Sequence, residues 1–306
     1  MDALLDALGD ELEDAEEEAF LLFSQQIPSH NLGFVDPRAD TLNLVLAGKD
    51  VTIRQSPGLL ESNRPAGTTG AVLWSITPLF ANWVAAPEAL LTRCGVLRSG
   101  ACALELGCGV SGLLSLALAG RIGRYVNTDQ DYVLRLAKEN VEANIAAFVA
   151  APPAHPRGKK GKGSGSAGAL GSRQHKAVVR ATEDDAVANV VMRPLDWEKS
   201  DVSTLYKDVG VSHIDVLFCC DCVYNEALIE PLATTMRDIC SLADDDANRA
   251  TVVVVAQQLR SPDVLEAWLK AFCSYFRVWR VPDHELGDAL GEGSGYVVHI
   301  GILRTK

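Results

Sequence analysis

No lysine or arginine precedes Arg38. A secretory signal opens on basic residues, so MDALLDALGDELEDAEEE is not expected to direct secretion. The same lack argues against nucleic-acid binding by this arm, because phosphates would be repelled. No apolar run approaches the roughly 20 residues needed to cross a bilayer, so no membrane span is expected. Cys219 and Cys222 form a C-x-x-C around Cys220, yet no second pair or neighbouring histidine completes a metal site. The eight cysteines lie mostly in or beside apolar runs, which suits buried thiols rather than disulfides. Cytoplasm or nucleus is the expected compartment.

What is present points to an ordinary globular chain. Apolar residues make up 48% of 306, enough for a substantial core. The net charge of −12 is concentrated at the start, where nine acids fall between Asp2 and Glu18. The rest carries 31 acids against 28 bases, about −3. Residues 1–40 are therefore set apart as an acidic extension. It is read mainly as a solvated helix face, although it would also suit a basic protein partner. Leu4, Leu5, Leu8, Leu12 and Ala15 recur at helical spacing and predict one amphipathic helix over residues 1–24.

TLNLVLAGKDVTIRQ predicts two short strands around a turn at Gly48-Lys49-Asp50. QSPGLLESNRPAGTTG reads as a loop, and AVLWSITPLFANWVA as a partly buried helix. From residue 101 onward apolar strands alternate with amphipathic helices. CALEL, YVNTD, AVANVVMRPLDW, IDVLFCCD and TVVVVAQQ supply five strands in turn. Ser261-Pro262 offers a cap and a first-turn proline for the helix that follows. FRVWRV and GYVVHIGILR close the chain as two further strands in a hairpin. Such alternation predicts an α/β fold with a mostly parallel seven-stranded sheet, helices on both faces and a reversed last strand. The whole of 41–306 is read as one domain. Within it, residues 152–176 are rich in Gly, Ser, Pro and Lys and are expected to form a disordered insertion.

ALELGCGVSG places Gly107, Gly109 and Gly112 in a G-x-G-x-x-G at the first strand-to-helix turn. Asp129 follows at the end of the second strand, where a carboxylate can accept hydrogen bonds from both hydroxyls of a ribose. This pair suits adenosine, whether it belongs to NAD or to S-adenosylmethionine. Three features favour the second. Glu105 lies two residues before Gly107, where it would repel a pyrophosphate but tolerate an ammonium. Asp196 and Trp197 end the third strand, one able to accept from an adenine amino group and the other to cover the base. Asp221 and Tyr224 stand just past the fourth strand, on the edge where ligands bind in open α/β sheets. A dehydrogenase would also need a proton-transfer group. His30, His155 and His175 fall in loops or the insertion, and His213, His284 and His299 fall away from this edge.

TIRQSPG, GAVLWSITPLFANW, LELGCGVSG, YVNTDQ, LDWEK, DCVYNEALIEPL and QQLRS resemble, in this order, the seven-β-strand lysine methyltransferases of the family numbered sixteen. The likeness spans roughly residues 40–303. It implies a Rossmann-like methyltransferase fold and S-adenosyl-L-methionine as cofactor. Carried over by position, the cofactor contacts fall on Trp74, Gly107, Cys108, Gly109, Asp129, Trp197 and Cys220. Cys108 stands where alanine is more usual. The target implied is a lysine on a basic ribosomal protein of the large subunit; elongation factors and chaperones remain as alternatives. A non-catalytic binding protein of the same fold is a further one. A monomer is expected.

Transfer to lysine is an in-line displacement on the sulfonium carbon and needs a neutral amine. Asp221 and Tyr224 are expected to form the mouth of the lysine channel, recognising the ammonium and orienting the lone pair.

Overall fold

The apolar runs become strands with both faces buried, and every residue of Cys102–Leu106 and of Val216–Cys220 is buried. In the computed structural model, which describes residues 1–28, 32–60, 68–149, 189–242 and 249–304, the strands in chain order are β1 Thr41–Leu46, β2 Lys49–Arg54, β3 Cys102–Leu106, β4 Arg124–Asp129 and β5 Val190–Pro194. They continue as β6 Val216–Cys220, β7 Val252–Gln258, β8 Phe276–Arg280 and β9 Tyr296–Leu303. Seven form one sheet in the order β5-β4-β3-β6-β7-β9-β8. All neighbours are parallel except β9, which runs antiparallel to both β7 and β8. The predicted insertion at 152–176 lies outside the described residues.

Strand alternation sends side chains to two cores. Ala103, Tyr125, Phe218, Val254 and Ile300 face one layer of helices; Leu104, Val126, Leu217, Val253 and Val255 face the other. The first layer contains α3 Ile76–Ala85, α4 Leu113–Leu118 and α5 Asp131–Asn144; the second contains α6 Ile229–Ser241 and α7 Pro262–Tyr275. Ser261 caps α7 by accepting from the Val264 amide at 3.4 Å, with Pro262 in the first turn.

The β1–β2 hairpin turns at Ala47 and Gly48, both left-handed, one residue earlier than expected. Lys49 and Asp50 are already paired in β2. The outer edge of this hairpin is met by side chains of α5. Asn144 exchanges two hydrogen bonds with the Thr52 backbone, and Asn140 does the same with Arg54. Asn140 also donates to the Val110 carbonyl at 2.7 Å, so one buried amide joins the hairpin to the glycine loop.

The N-terminal arm is two helices rather than one. α1 Asp2–Leu8 stops at Gly9 (φ 77°), and α2 Ala15–Ser24 restarts under the Asp14 cap, whose carboxylate accepts from the amides of Glu16 and Glu17. Nor is the arm merely a solvated face. Leu4 and Leu8 enter the first core, while Ala19 and Leu22 enter the second. Between the helices the Leu12 amide donates to the Val278 carbonyl at 2.7 Å, on the edge strand β8. Glu11 pairs with Arg277 at 2.7 Å and Arg304 at 3.2 Å, and buried Glu18 bonds His299 at 3.1 Å. Two of the acids thus answer bases of the last strands.

Candidate active site

Sheet order reverses between β3 and β6, and the carboxyl ends of the strands around that point open into a crevice of about 980 Å³. All nine residues singled out as cofactor or substrate contacts line it: Trp74, Gly107, Cys108, Gly109, Asp129, Trp197, Cys220, Asp221 and Tyr224. They come from four strand ends and from the segment that precedes α3.

The loop is built from left-handed glycines, with φ of 67° at Gly107 and 62° at Gly109. At Gly107 a Cβ would stand 2.6 Å from Cys222 Sγ and 3.2 Å from the Trp197 indole, so no side chain fits. The Gly109 amide donates to Asp129 Oδ2 at 2.9 Å, and the Gln130 amide to Oδ1 at 2.7 Å. Burial pushes the Asp129 carboxyl up to about 6 against the pull of these two amides. It is still ionised at neutral pH, and each oxygen retains a lone pair for a ligand hydroxyl.

Glu105 departs from expectation. Its carboxyl is buried and receives the Tyr125 hydroxyl at 2.8 Å, and burial pushes it up to about 8. At neutral pH it is therefore mostly protonated and supplies little charge against a pyrophosphate. The crevice owes its acidic lining to Asp129, Asp196, Glu198 and Asp221. Asp196 is half-exposed and turned to local duty, accepting from the Glu198 amide at 3.0 Å and Lys199 Nζ at 3.1 Å. Trp197 covers Gly107.

Asp221 differs more sharply. It has a left-handed backbone (φ 59°), a conformation that Asp tolerates better than most residues. Its amide donates to the Ala256 carbonyl at 2.7 Å. The carboxylate is not free to greet an ammonium, because Arg260 grips both oxygens at 2.7 and 2.5 Å and the Gln258 amide donates to Oδ1 at 3.2 Å. The Arg260 guanidinium also lies 4.6 Å from the Trp74 ring, which Phe34 meets at 4.2 Å. Trp74 Nε1 donates to the Thr69 carbonyl at 3.2 Å, and the Thr69 hydroxyl meets the Tyr224 hydroxyl at 3.3 Å. Asp221, Arg260, Trp74, Thr69 and Tyr224 thus form a chain of contacts joining two strand ends to the segment before α3. Above the glycine loop, the Gly70 carbonyl accepts from the Val110 amide at 2.9 Å.

Sequence reasoning missed Thr69, Gly70, Phe34 and Arg260. Arg260 lies within QQLRS, a segment already noted, but nothing local in it reveals a partner 39 positions away. The thiols are buried walls. Cys222 Sγ donates to the Leu106 carbonyl at 3.3 Å, and burial holds Cys108 and Cys220 well above the usual thiol range.

Known proteins identify the family. A family model described as lysine methyltransferase matches residues 175–264. The protein named ribosomal lysine N-methyltransferase 5 of Zygosaccharomyces rouxii is 30% identical over 240 residues, covering 72% of this chain and 69% of that protein. Its namesake in Eremothecium gossypii is 29% identical over 255 residues, covering 76% and 73%. The Saccharomyces cerevisiae protein of the same name is 27% identical over 299 residues, covering 81% and 77%. The chain belongs to the lysine methyltransferase family that includes these ribosomal lysine N-methyltransferases.

Proposed function

We propose that this chain is an S-adenosylmethionine-dependent protein-lysine N-methyltransferase whose target is a lysine of a large-subunit ribosomal protein. The observation that carries the reading is the pairing of Asp129 with the glycine loop inside an acid-lined crevice. With Asp196 offset by Lys199 and Asp221 by Arg260, Asp129 and Glu198 keep the lining net negative, which suits a cationic ligand and opposes a pyrophosphate. The donor set fits the cofactor: Asp129 would take the ribose hydroxyls, and Trp74, Trp197 and Cys220 would line its path. Gly107, Cys108 and Gly109 would let it reach the backbone. When bound, the cofactor supplies an electrophilic methyl group.

The chain's own task is to deliver a neutral amine in line with that group. Deprotonating a free lysine of pKa about 10.4 at pH 7 costs roughly 4.6 kcal/mol. A narrow, water-poor entry reduces this by disfavouring the ammonium. Tyr224 and Asp221, on the turn after β6, would border the entry. Holding the amine aligned contributes several kcal/mol more. The relatives' shared name supports the ribosomal target, and a basic ribosomal protein complements the net charge of −12. This reading implies a cytoplasmic enzyme; among the described residues no helix is long and apolar enough to cross a membrane.

The test is incubation of the purified chain with radiolabelled S-adenosylmethionine and total large-subunit ribosomal proteins. One labelled band whose hydrolysate yields methyl-lysine is expected. Label appearing only on an elongation factor or chaperone in whole lysate would remove the ribosomal target. Calorimetry showing no cofactor binding would remove the entire reading.

A further inference from the structure

The bidentate Asp221–Arg260 pair stands at the crevice with the Asp221 side chain 1% exposed and that of Arg260 26% exposed. Asp221 lines the crevice; Arg260 sits behind it, over Trp74. Taken alone, a buried carboxylate at the entry is the wrong group for this chemistry. It would hold an arriving lysine as its ammonium, and an ammonium has no lone pair to attack a methyl group. An opposite charge within about 4–6 Å raises an amine's pKa by roughly 1–3 units.

We propose that Arg260 is a positioning residue that takes up the charge of Asp221, so that the amine entering the crevice is not retained there as an ammonium. The inference rests on the methyltransferase reading above. The same guanidinium leans on Trp74, so one side chain neutralises the entry and braces its wall. Among the described residues no other cation pairs with Asp221. Of the groups around Asp221, burial keeps Cys220 protonated, the hydrogen bond with Cys219 and then burial do the same for Cys222, and burial pushes Tyr296 on β9 up to about 12. Tyr224 lies on the same turn. On the far wall Glu105 is protonated, Asp129 is tied to the loop amides, and Lys199 is paired with Asp196.

The test is the pH profile of the maximal transfer rate, measured with total large-subunit ribosomal proteins and labelled S-adenosylmethionine. Arg260→Gln exposes the entry to an unopposed carboxylate, and the rising limb should move up by about one pH unit or more. Asp221→Asn leaves an unopposed guanidinium, and the limb should move down. Asp221→Asn with Arg260→Gln should return it to the parent position. A merely structural role would lower the rate without displacing the limb. Limbs that stay in place, or move the same way in both single variants, would overturn the proposal. If Arg260→Gln does not fold, Asp221→Asn and the double variant decide by the same criterion. A parent chain that binds no cofactor and transfers no label would instead sink the methyltransferase reading.

Discussion

The Gly109 amide donates to Oδ2 of Asp129 across 2.9 Å, which ties the glycine loop to the end of β4. Asp129→Ala should free the loop and lose the acceptors for a ribose. Cofactor affinity should fall about 10- to 100-fold, equivalent to roughly 1.5–3 kcal/mol for hydrogen bonds to a charged group. Because Asp129 titrates at about 6, the parent's affinity should be flat above that pH and decline below it as the acceptor gains a proton. Calorimetry between pH 5 and 8 reads both.

Glu105 gives a stability signature. Its native value of about 8 exceeds the ordinary carboxyl value of 4.5, so the folded protein holds a proton that the unfolded chain releases. The stability contributed by the neutral acid is complete below pH 4.5 and drains away as pH climbs to 8, by about 1.4 kcal/mol per unit across that window. Glu105→Gln, which can still receive the Tyr125 hydroxyl, lacks this loss. It should melt close to the parent at pH 4.5 and several degrees higher at pH 8. A constant offset at both values would contradict the assignment.

Two glycines of the loop should respond differently to alanine. At Gly107 the new Cβ runs into Cys222 Sγ at 2.6 Å, whereas at Gly109 it meets only the Gly70 carbonyl at an ordinary 3.5 Å. Gly107→Ala should cost about 1–3 kcal/mol from overpacking beyond the left-handed backbone penalty, and Gly109→Ala about 1 kcal/mol from the backbone alone. Cys222→Ala should recover part of the first loss and none of the second. Thermal melts of Gly107→Ala and Gly109→Ala, each with and without Cys222→Ala, provide the comparison.

The arm carries its own pH dependence. Burial opposes ionisation of Glu18, but the hydrogen bond and charge of His299, with the charge of Arg280, outweigh it and lower the carboxyl below 4.5. Its contribution is present above 4.5 and vanishes as pH falls through the lowered native value. Glu18→Ala should destabilise the chain by about 1–3 kcal/mol at pH 7 and speed proteolytic cutting between α1 and α2. The difference from the parent should shrink below pH 4.5.

The sheet was legible because its strands are apolar at most positions, and that pattern survives any arrangement of neighbours. Asp129, the glycine loop and Trp197 were legible because strand ends are visible in sequence. The state of Glu105 was not, since it depends on how deeply Tyr125 and the neighbouring helices enclose it. The occupation of Asp221 by Arg260 was equally hidden, because β6 and β7 become neighbours only in the folded sheet. The break at Gly9 was signalled by that glycine alone, against an apolar spacing that continues past it.

An edge strand with open carbonyls is an invitation to any other extended chain. Val278 on β8 is answered by Leu12, and Arg277 by Glu11, so the acidic segment guards the margin of the sheet. Removing it would do more than trim a charged tail: it would leave a sticky border, and the shortened protein would be expected to aggregate through self-pairing.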